Sequence, residues 1–379
     1  MAKLSLTELK DIVATYCDEN NISVDSFIET RNNSVGLLDT LGKIYTIFQN
    51  YKDKLAILDG EDLSFGKTIE EWAQDLILPL AFDPTGANAL APHDSTYRPA
   101  SFSYTLGRVT IPQTIRNDDI ERAVHNMGQY VNIITGKTKA MYDSETLFRY
   151  QLKRQAIGVL IARCDYVTDL SNADVTIATA GTTITSNLAV NEVLAITGTS
   201  KTYVCVKPIA STDGLTGSTA LAGGYIIPLN LVEELAIPTD DTTGEAFIEQ
   251  VLKDVEVASD VSEGNSLNGN TLGASEEAGL VLVIKQGVMP TLKVQTLAGA
   301  FQREELAIPA EIITIPDFGD ADANFYAVLM DRRAVRVHNT YRAVRDNLNG
   351  KGDFLNYYYH TENTAHVSKN VFVKVYKNV

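Results

Sequence analysis

The chain has few of the residues that usually build metal or redox sites. Its 379 residues include 3 cysteines, 5 histidines and 1 tryptophan. Cys17, Cys164 and Cys205 follow no metal or redox spacing and are odd in number, so we expect reduced, buried thiols. His360 and His366 share a strand face, which leaves a weak metal site as an alternative. We predict that the protein holds no metal and no cofactor.

Long hydrophobic runs are also missing. No stretch has the ~20 apolar residues that a membrane-spanning helix needs, and the N-terminus lacks the apolar core of a signal peptide. We therefore expect a protein that is made and kept in a cytoplasm and does not contact a membrane. Hydrophobic residues make up 45% of the chain, as is typical of a folded protein with one large domain or two modest ones.

Positive charge is in deficit. The chain has 32 basic and 48 acidic residues, a formal net charge of −16. This balance argues against tight binding of nucleic acid across the whole surface, because phosphates are bound by clustered lysine and arginine. It does not exclude a protein that encloses nucleic acid without gripping it.

No pattern in the sequence predicts an active site. Two Gly-Lys-Thr triplets, 66–68 and 136–138, resemble the end of a phosphate-binding loop, but that loop needs another glycine five positions earlier. Those positions hold Glu61 and Val131. Carboxylates are plentiful, yet no pair can be assigned as acid and base. We predict that the protein is not an enzyme.

The first half of the chain is predicted to contain helices and one long segment that forms a pair of strands. Residues 1–60 show helical periodicity, whereas prolines from Pro79 to Pro112 exclude a compact core element between Leu63 and Arg116. We expect a two-stranded excursion there, with legs at 68–72 and 101–106. A long amphipathic helix then starts at Asn117, with a break or a second cap at Asp143-Ser144.

The second half mixes strands and helices. Residues 166–235 are rich in Thr, Ser, Gly, Ala and Val and predict a β-rich insertion. A helix is expected at 243–253 and another near 288–297, with strands at 280–284, 311–315 and 326–330. The C-terminal part combines an arginine-rich segment, a turn at 349–352, the run Asn356-Tyr-Tyr-Tyr-His360 and a closing strand at 371–375. The fold class is mixed α+β.

The order of these elements resembles the Hong Kong 97-type major capsid fold of tailed phages. Several segments are similar to the major head protein of the small podoviruses of the phi-29 group. The similarity runs in order along nearly the whole chain, and the 356–360 run is its most specific part. The segments that carry it are Gly66-Lys-Thr-Ile-Glu-Glu71, Gln113-Thr-Ile-Arg-Asn-Asp118, Ala327-Val-Leu-Met-Asp331, Asn356-Tyr-Tyr-Tyr-His360 and Val367-Ser-Lys369.

The resemblance implies a division of the chain. Its parts are an N-terminal arm at 1–60, an E-loop at 61–112, a P-domain with a spine helix at 113–165, a β-rich insertion in the A-domain at 166–235, the A-domain at 236–335, a P-domain hairpin at 336–362 and a closing A-domain strand at 363–379. The insertion is larger than the equivalent segment of the family.

The resemblance also implies a function: a virion protein that assembles through pentamers and hexamers into an icosahedral head around double-stranded DNA. A scaffolding protein, a portal protein and weak non-specific contact with DNA are the implied partners besides copies of the chain. Candidate contacts between subunits are Lys67, Glu70, Glu71 and Trp72 on the E-loop, with Arg116, Arg122, Arg342 and Arg345 as their electrostatic partners. The alternatives are an encapsulin-like compartment shell and a cytoplasmic hydrolase.

Overall fold

A computed structural model describes residues 51–63, 69–74, 82, 97–101, 103–105, 107–116, 127–269, 272, 279–288, 308, 310–319, 321 and 324–379, with the backbone alone for 72–74, 97–101, 103–105 and 127–134. The helices in these ranges are α1 (Met127–Thr168), α2 (Gly217–Ala222) and α3 (Asp241–Ser259). The strands are β1 (Glu70–Gln74), β2 (Tyr97–Ser101), β3 (Ser103–Thr105), β4 (Val109–Arg116), β5 (Val175–Ile177), β6 (Val193–Ile196), β7 (Lys201–Cys205), β8 (Ile226–Pro228), β9 (Val232–Glu234), β10 (Leu280–Lys285), β11 (Glu311–Ile315), β12 (Phe325–Asp331), β13 (Val335–Asn349), β14 (Phe354–Val367) and β15 (Val373–Lys377).

A five-stranded mixed sheet, ordered β11-β10-β12-β15-β9, forms the centre of the subunit. Successive side chains on a strand point to opposite faces, so this apolar sheet can bury both sides. One face packs against α3, with Phe247, Val251 and Val255 in that layer. The other face packs against α1 through residues such as Ile157 and Ile161.

Helix α1 is continuous over 42 residues, a length of roughly 63 Å at 1.5 Å per residue. The break expected at Asp143-Ser144 was wrong. The Ser144 hydroxyl donates to the Ala140 carbonyl at 2.7 Å, so its oxygen bonds back to the helix instead of capping a new one. The expected start at Asn117 lies outside the described residues.

A second sheet is built from the C-terminal hairpin and two further strands. β13 and β14 pair antiparallel from Val335↔Val367 to Asn349↔Phe354. The other edge of β14 pairs with β4 and β3. The predicted boundaries at 112/113 and 362/363 therefore fall inside β4 and β14.

The insertion forms a separate small sheet, ordered β5-β6-β7-β8. It has its own apolar cluster, which includes Ile184, Leu194, Tyr203 and Ile226. The strands predicted within residues 166–235 are confirmed, although β9, near the end of that range, joins the central sheet.

The segment between Leu63 and Arg116 contains the expected two-stranded sheet, but the position expected for its second strand was wrong. β1 pairs with β2, from Glu70↔Ser101 to Gln74↔Tyr97, whereas the legs were expected at 68–72 and 101–106. Pro99 lies within β2 and removes a donor, which a strand tolerates only at a sheet edge. Residues 103–105 belong instead to β3, beside β14.

Most other predicted elements are confirmed with small shifts. The strands at 280–284, 311–315 and 326–330 are β10, β11 and β12, the predicted helix at 243–253 is α3, and the closing strand is β15. The helices predicted in residues 1–50 and almost all of the helix near 288–297 lie outside the described residues. Cys164 and Cys205 are free and buried, as expected, and Cys17 is not described.

A buried lysine joins α1 to the segment 51–63. The Lys153 side chain is fully buried, and its Nζ lies 2.6 Å from Asp53 and 2.5 Å from Asp59. Arg149 adds a 2.7 Å contact to Asp59. The same segment donates from the Gly60 amide to the Val337 carbonyl at 3.0 Å, so it also reaches β13.

We expect Lys153→Met to lower the free energy of unfolding by about 3 kcal/mol, the low end for breaking a buried pair, because Asp59 is partly exposed. Chemical denaturation of the unassembled protein measures the change. The matched control is Lys253→Met, which breaks the exposed Glu249–Lys253 pair on α3 and should leave the free energy of unfolding almost unchanged, because solvent screens a surface pair. Equal effects of the two substitutions would contradict this prediction.

Candidate subunit-contact site

The β13–β14 hairpin carries two of the candidate contact residues, Arg342 and Arg345. It ends in a turn in which Asn349 Oδ1 accepts hydrogen bonds from the amides of Lys351 (3.1 Å) and Gly352 (3.0 Å). Asp353 adopts a positive φ of 48°, a conformation that aspartate tolerates better than most residues. The turn predicted at 349–352 is confirmed.

A carboxylate on α1 holds the helix against this hairpin. Glu145 is buried and accepts a 2.6 Å hydrogen bond from the Tyr359 hydroxyl and a 3.1 Å bond from Arg342 Nε. Burial and the bond to Glu145 raise the pKa of the Tyr359 phenol. Tyr142 packs edge-on against the same ring. The hairpin and the helix are thus joined by directional contacts as well as apolar ones.

Sequence reasoning missed Glu145 and the role of Tyr359. The available signal was the position of Glu145, four residues after the buried Met141 and seven before the buried Leu152. An acidic residue on an apolar helix stripe indicates a buried carboxylate with a partner. The partner itself is 214 residues away in sequence, so its identity could not be read from local patterning.

The far end of the hairpin exposes apolar side chains. Val344 and Leu348 are 50% and 69% exposed. Val344 lies opposite Tyr359 and Leu348 lies opposite Leu355, so both belong to the sheet face that packs against α1. Asp346, also exposed, lies between them on the same face.

The E-loop candidates divide between described and undescribed residues. Glu70 is exposed on β1, and Glu71 is partly buried on the other face of the strand, bonded to the His366 ring at 2.7 Å. The backbone of Trp72 pairs with Pro99. Lys67 lies outside the described residues.

Three of the four arginine candidates lie on one sheet. Arg116 ends β4 opposite Phe354, and Arg345 lies opposite Tyr358. Both are exposed. Arg342 contacts Glu145 and also Asp62 at 3.6 Å, so it is already engaged within the chain. Arg122 lies outside the described residues.

The tyrosine run has different environments along one strand. Tyr359 is buried, whereas Tyr357 and Tyr358 are half-buried. Tyr358 stacks on His360 with 6.4 Å between ring centroids. The interpretation of the run as core or interface, in preference to a base-stacking surface, fits this mixture of environments.

The two histidines of the alternative metal site lie apart in the structure. His360 contacts Thr110 and His366 contacts Glu71, so the two rings do not converge, and the described ranges hold no cluster of three metal-ligating side chains. A polar cavity of about 570 Å³ opens beside Asp165, Glu234 and Lys377. Lys377 is paired with Asp165 at 3.0 Å.

None of the helices in the described ranges is long and apolar enough to cross a membrane.

Three solved structures share the fold. A capsid structure of Staphylococcus phage Andhra matches with a TM-score of 0.56 at 10% identity, over 89% of this chain and 87% of that chain. A structure of the head fiber and inner core protein gp22 of native bacteriophage P68 matches with a TM-score of 0.55 at 10% identity, over 89% and 87%. The capsid structure of cyanophage P-SCSP1u matches with a TM-score of 0.52 at 9% identity, over 89% and 91%. These matches confirm the Hong Kong 97-type α+β fold.

No curated protein matches the chain. The family model of the phi29-like phage major capsid protein matches residues 4–204 and 229–373. The members of this family are structural proteins of the virion, and the match favours neither the compartment shell nor the hydrolase. The chain therefore belongs to the phi29-like phage major capsid protein family and is a shell protein of the phage head.

Proposed function

We propose that copies of this chain assemble through pentamers and hexamers into an icosahedral head that encloses double-stranded DNA. Heterologous contacts that close on rotation give rings, and rings joined by further contacts give a curved shell. Membership of the capsid family supports this proposal. The exposed apolar side chains at the end of the β13–β14 hairpin also support it.

The apolar end of the hairpin is the observation that carries the proposal. Val344 and Leu348 are exposed on the hairpin face that packs against α1, with Asp346 between them and Arg345 on the opposite face of the strand. Protein interfaces combine an apolar centre with a polar rim, and arginine is enriched there. A neighbouring subunit would remove these two side chains from water.

The E-loop supplies the second contact in this proposal. Glu70 and Trp72, with Lys67, would face the arginines Arg116, Arg122 and Arg345 of a neighbour. Opposite charges across an interface fix its register more than they add affinity. Glu71 and Arg342 belong to the same candidate set, although both side chains already have partners within the chain.

The remaining assignments rest on the family. The E-loop, P-domain and A-domain divisions, a scaffolding protein, a portal protein and weak contact with DNA are part of the proposal. A net charge of −16 is consistent with a container that DNA enters and leaves without adhering.

Electron microscopy of the protein, expressed alone and with its neighbouring genes, tests the proposal. Shells or sheets of capsomers are expected. A small oligomer of a single size under every condition would contradict it.

We expect Leu348→Ser to reduce the yield of shells about tenfold or more, because each assembled subunit loses an apolar contact worth about 1.4 kcal/mol. The subunit itself should keep its stability within about 0.5 kcal/mol, because the side chain is exposed. Sedimentation measures shell yield and denaturation measures stability.

Leu221→Ser is the matched control, because Leu221 is exposed on the insertion. It should leave both quantities unchanged. Normal shell yield with Leu348→Ser would exclude the hairpin end as a contact.

We expect the double substitution Trp72→Ala and Glu70→Lys to prevent normal assembly, since it removes a large contact side chain and reverses a charge facing the neighbour's arginines. Particle counts by electron microscopy measure the effect. Assembly at the wild-type level would show that the E-loop contacts are assigned to the wrong residues.

A further inference from the structure

One strand at the base of the E-loop needs an attachment that strand pairing does not supply. In the described residues β1 and β2 pair with each other and with no other strand. A two-stranded sheet by itself is marginally stable in water. β2 is followed closely by β3, which pairs with β14, so β1 is the strand that needs a further contact with the body of the subunit.

Glu71 makes that attachment. Its Oε1 accepts a 2.7 Å hydrogen bond from His366 Nε2, and its Oε2 accepts bonds from Ser368 Oγ at 2.7 Å and Asn370 Nδ2 at 3.2 Å. The three donors come from one short segment, the end of β14 and the connection to β15. His366 and Ser368 are 3% and 2% exposed, so the carboxylate reaches into the body of the subunit.

The chemistry of the contact favours an ionised carboxylate. A carboxylate accepts and cannot donate, so the proton of the contact belongs on His366 Nε2. Burial by itself would raise the pKa of Glu71, but the hydrogen bonds from His366, Ser368 and Asn370 outweigh it and hold the pKa below its ordinary value. Hydrogen bonds to a charged acceptor are about twice as strong as neutral ones.

We propose that Glu71 is a positioning residue that fastens the base of the E-loop to the β14–β15 connection of its own subunit. Side chains alternate along β1, so fastening Glu71 inward presents Glu70 outward, where it is exposed. Glu71 thereby sets the direction of the loop, while other residues of the loop meet the neighbour. The consequence for assembly rests on the proposed function, whereas the attachment itself belongs to the isolated subunit.

Other charged groups face this contact. The charge of Arg333, beside Asp331, acts on Glu71, and His338 on β13 acts on His366. Burial lowers the pKa of His338, so that ring is neutral at pH 7. Because the folded pKa of Glu71 is depressed, its contribution is present above the ordinary carboxyl range and is lost as pH falls through the folded value.

Hydrogen exchange of the unassembled protein tests the attachment. We expect Glu71→Gln to raise the exchange of residues 70–74 and 97–101 by about tenfold or more, the effect of losing a hydrogen bond to a charged acceptor. Glu70→Gln on the same strand is the matched control and should change neither segment. In the wild-type protein the exchange of both segments, corrected for the intrinsic rate, should rise as the pH falls through the depressed pKa of Glu71.

Ser368→Ala keeps the test decisive if Glu71→Gln fails to fold, since it removes one donor and leaves the carboxylate in place. It should raise exchange in the same two segments. Combining it with Glu71→Gln should add less than the sum of the single effects, because the two groups interact directly. A purely local packing defect at residue 368 would leave residues 70–74 unchanged.

Unchanged exchange in residues 70–74 and 97–101 with both variants would overturn the proposal. Raised exchange with normal shell yield would support the attachment and contradict the role of the E-loop in assembly. Raised exchange with loss of shells would support both. The two proposals can therefore fail separately.

Discussion

The burial of one face of α1 is the constraint on which the rest of the subunit depends. Residues between Leu152 and Cys164 belong to one apolar cluster that includes both the central sheet and the base of the β13–β14 hairpin. Leu152, Ile157, Leu160 and Ile161 are almost completely buried. At about 1.5–3 kcal/mol for each such side chain, an upper estimate, they contribute substantially to folding. Because both layers pack on one helix, the helix sets the angle between the sheet and the hairpin.

Three charged side chains each join two elements that lie far apart in the sequence. Glu145 aligns the hairpin with α1, Lys153 aligns the segment 51–63 with α1, and Glu71 aligns β1 with the end of β14. Buried charges contribute little net stability, yet they penalise any geometry that leaves them without a partner. Apolar packing therefore holds the layers together, while these contacts select one relative position.

Local patterns in the sequence predicted individual helices and strands better than they predicted which strands pair with each other. The apolar runs at 280–284 and 326–330 could be recognised as strands because both of their faces are buried. The break at Ser144 was wrong because a hydroxyl can bond to its own helix as readily as it can cap a new one. β2 was missed because it contains Pro99, which a sheet of two strands accepts.

The contacts of the candidate site were less accessible to sequence reasoning. Glu71 could be selected as a residue of the loop, but its partner His366 lies 295 positions away. No periodicity connects residues at such a separation, and only the folded arrangement of β1 and β14 shows the contact. The family resemblance supplied the overall architecture, which composition alone would have limited to mixed α+β.

The insertion's own apolar cluster has a consequence for substitutions in this segment. Tyr203 and Ile226 lie in that cluster, whereas their strand neighbours Val204 and Ile227 lie in the cluster that packs on α1. A substitution confined to the first cluster disturbs a small local core and leaves the layer on α1 intact, whereas one at Val204 or Ile227 reaches the centre of the subunit.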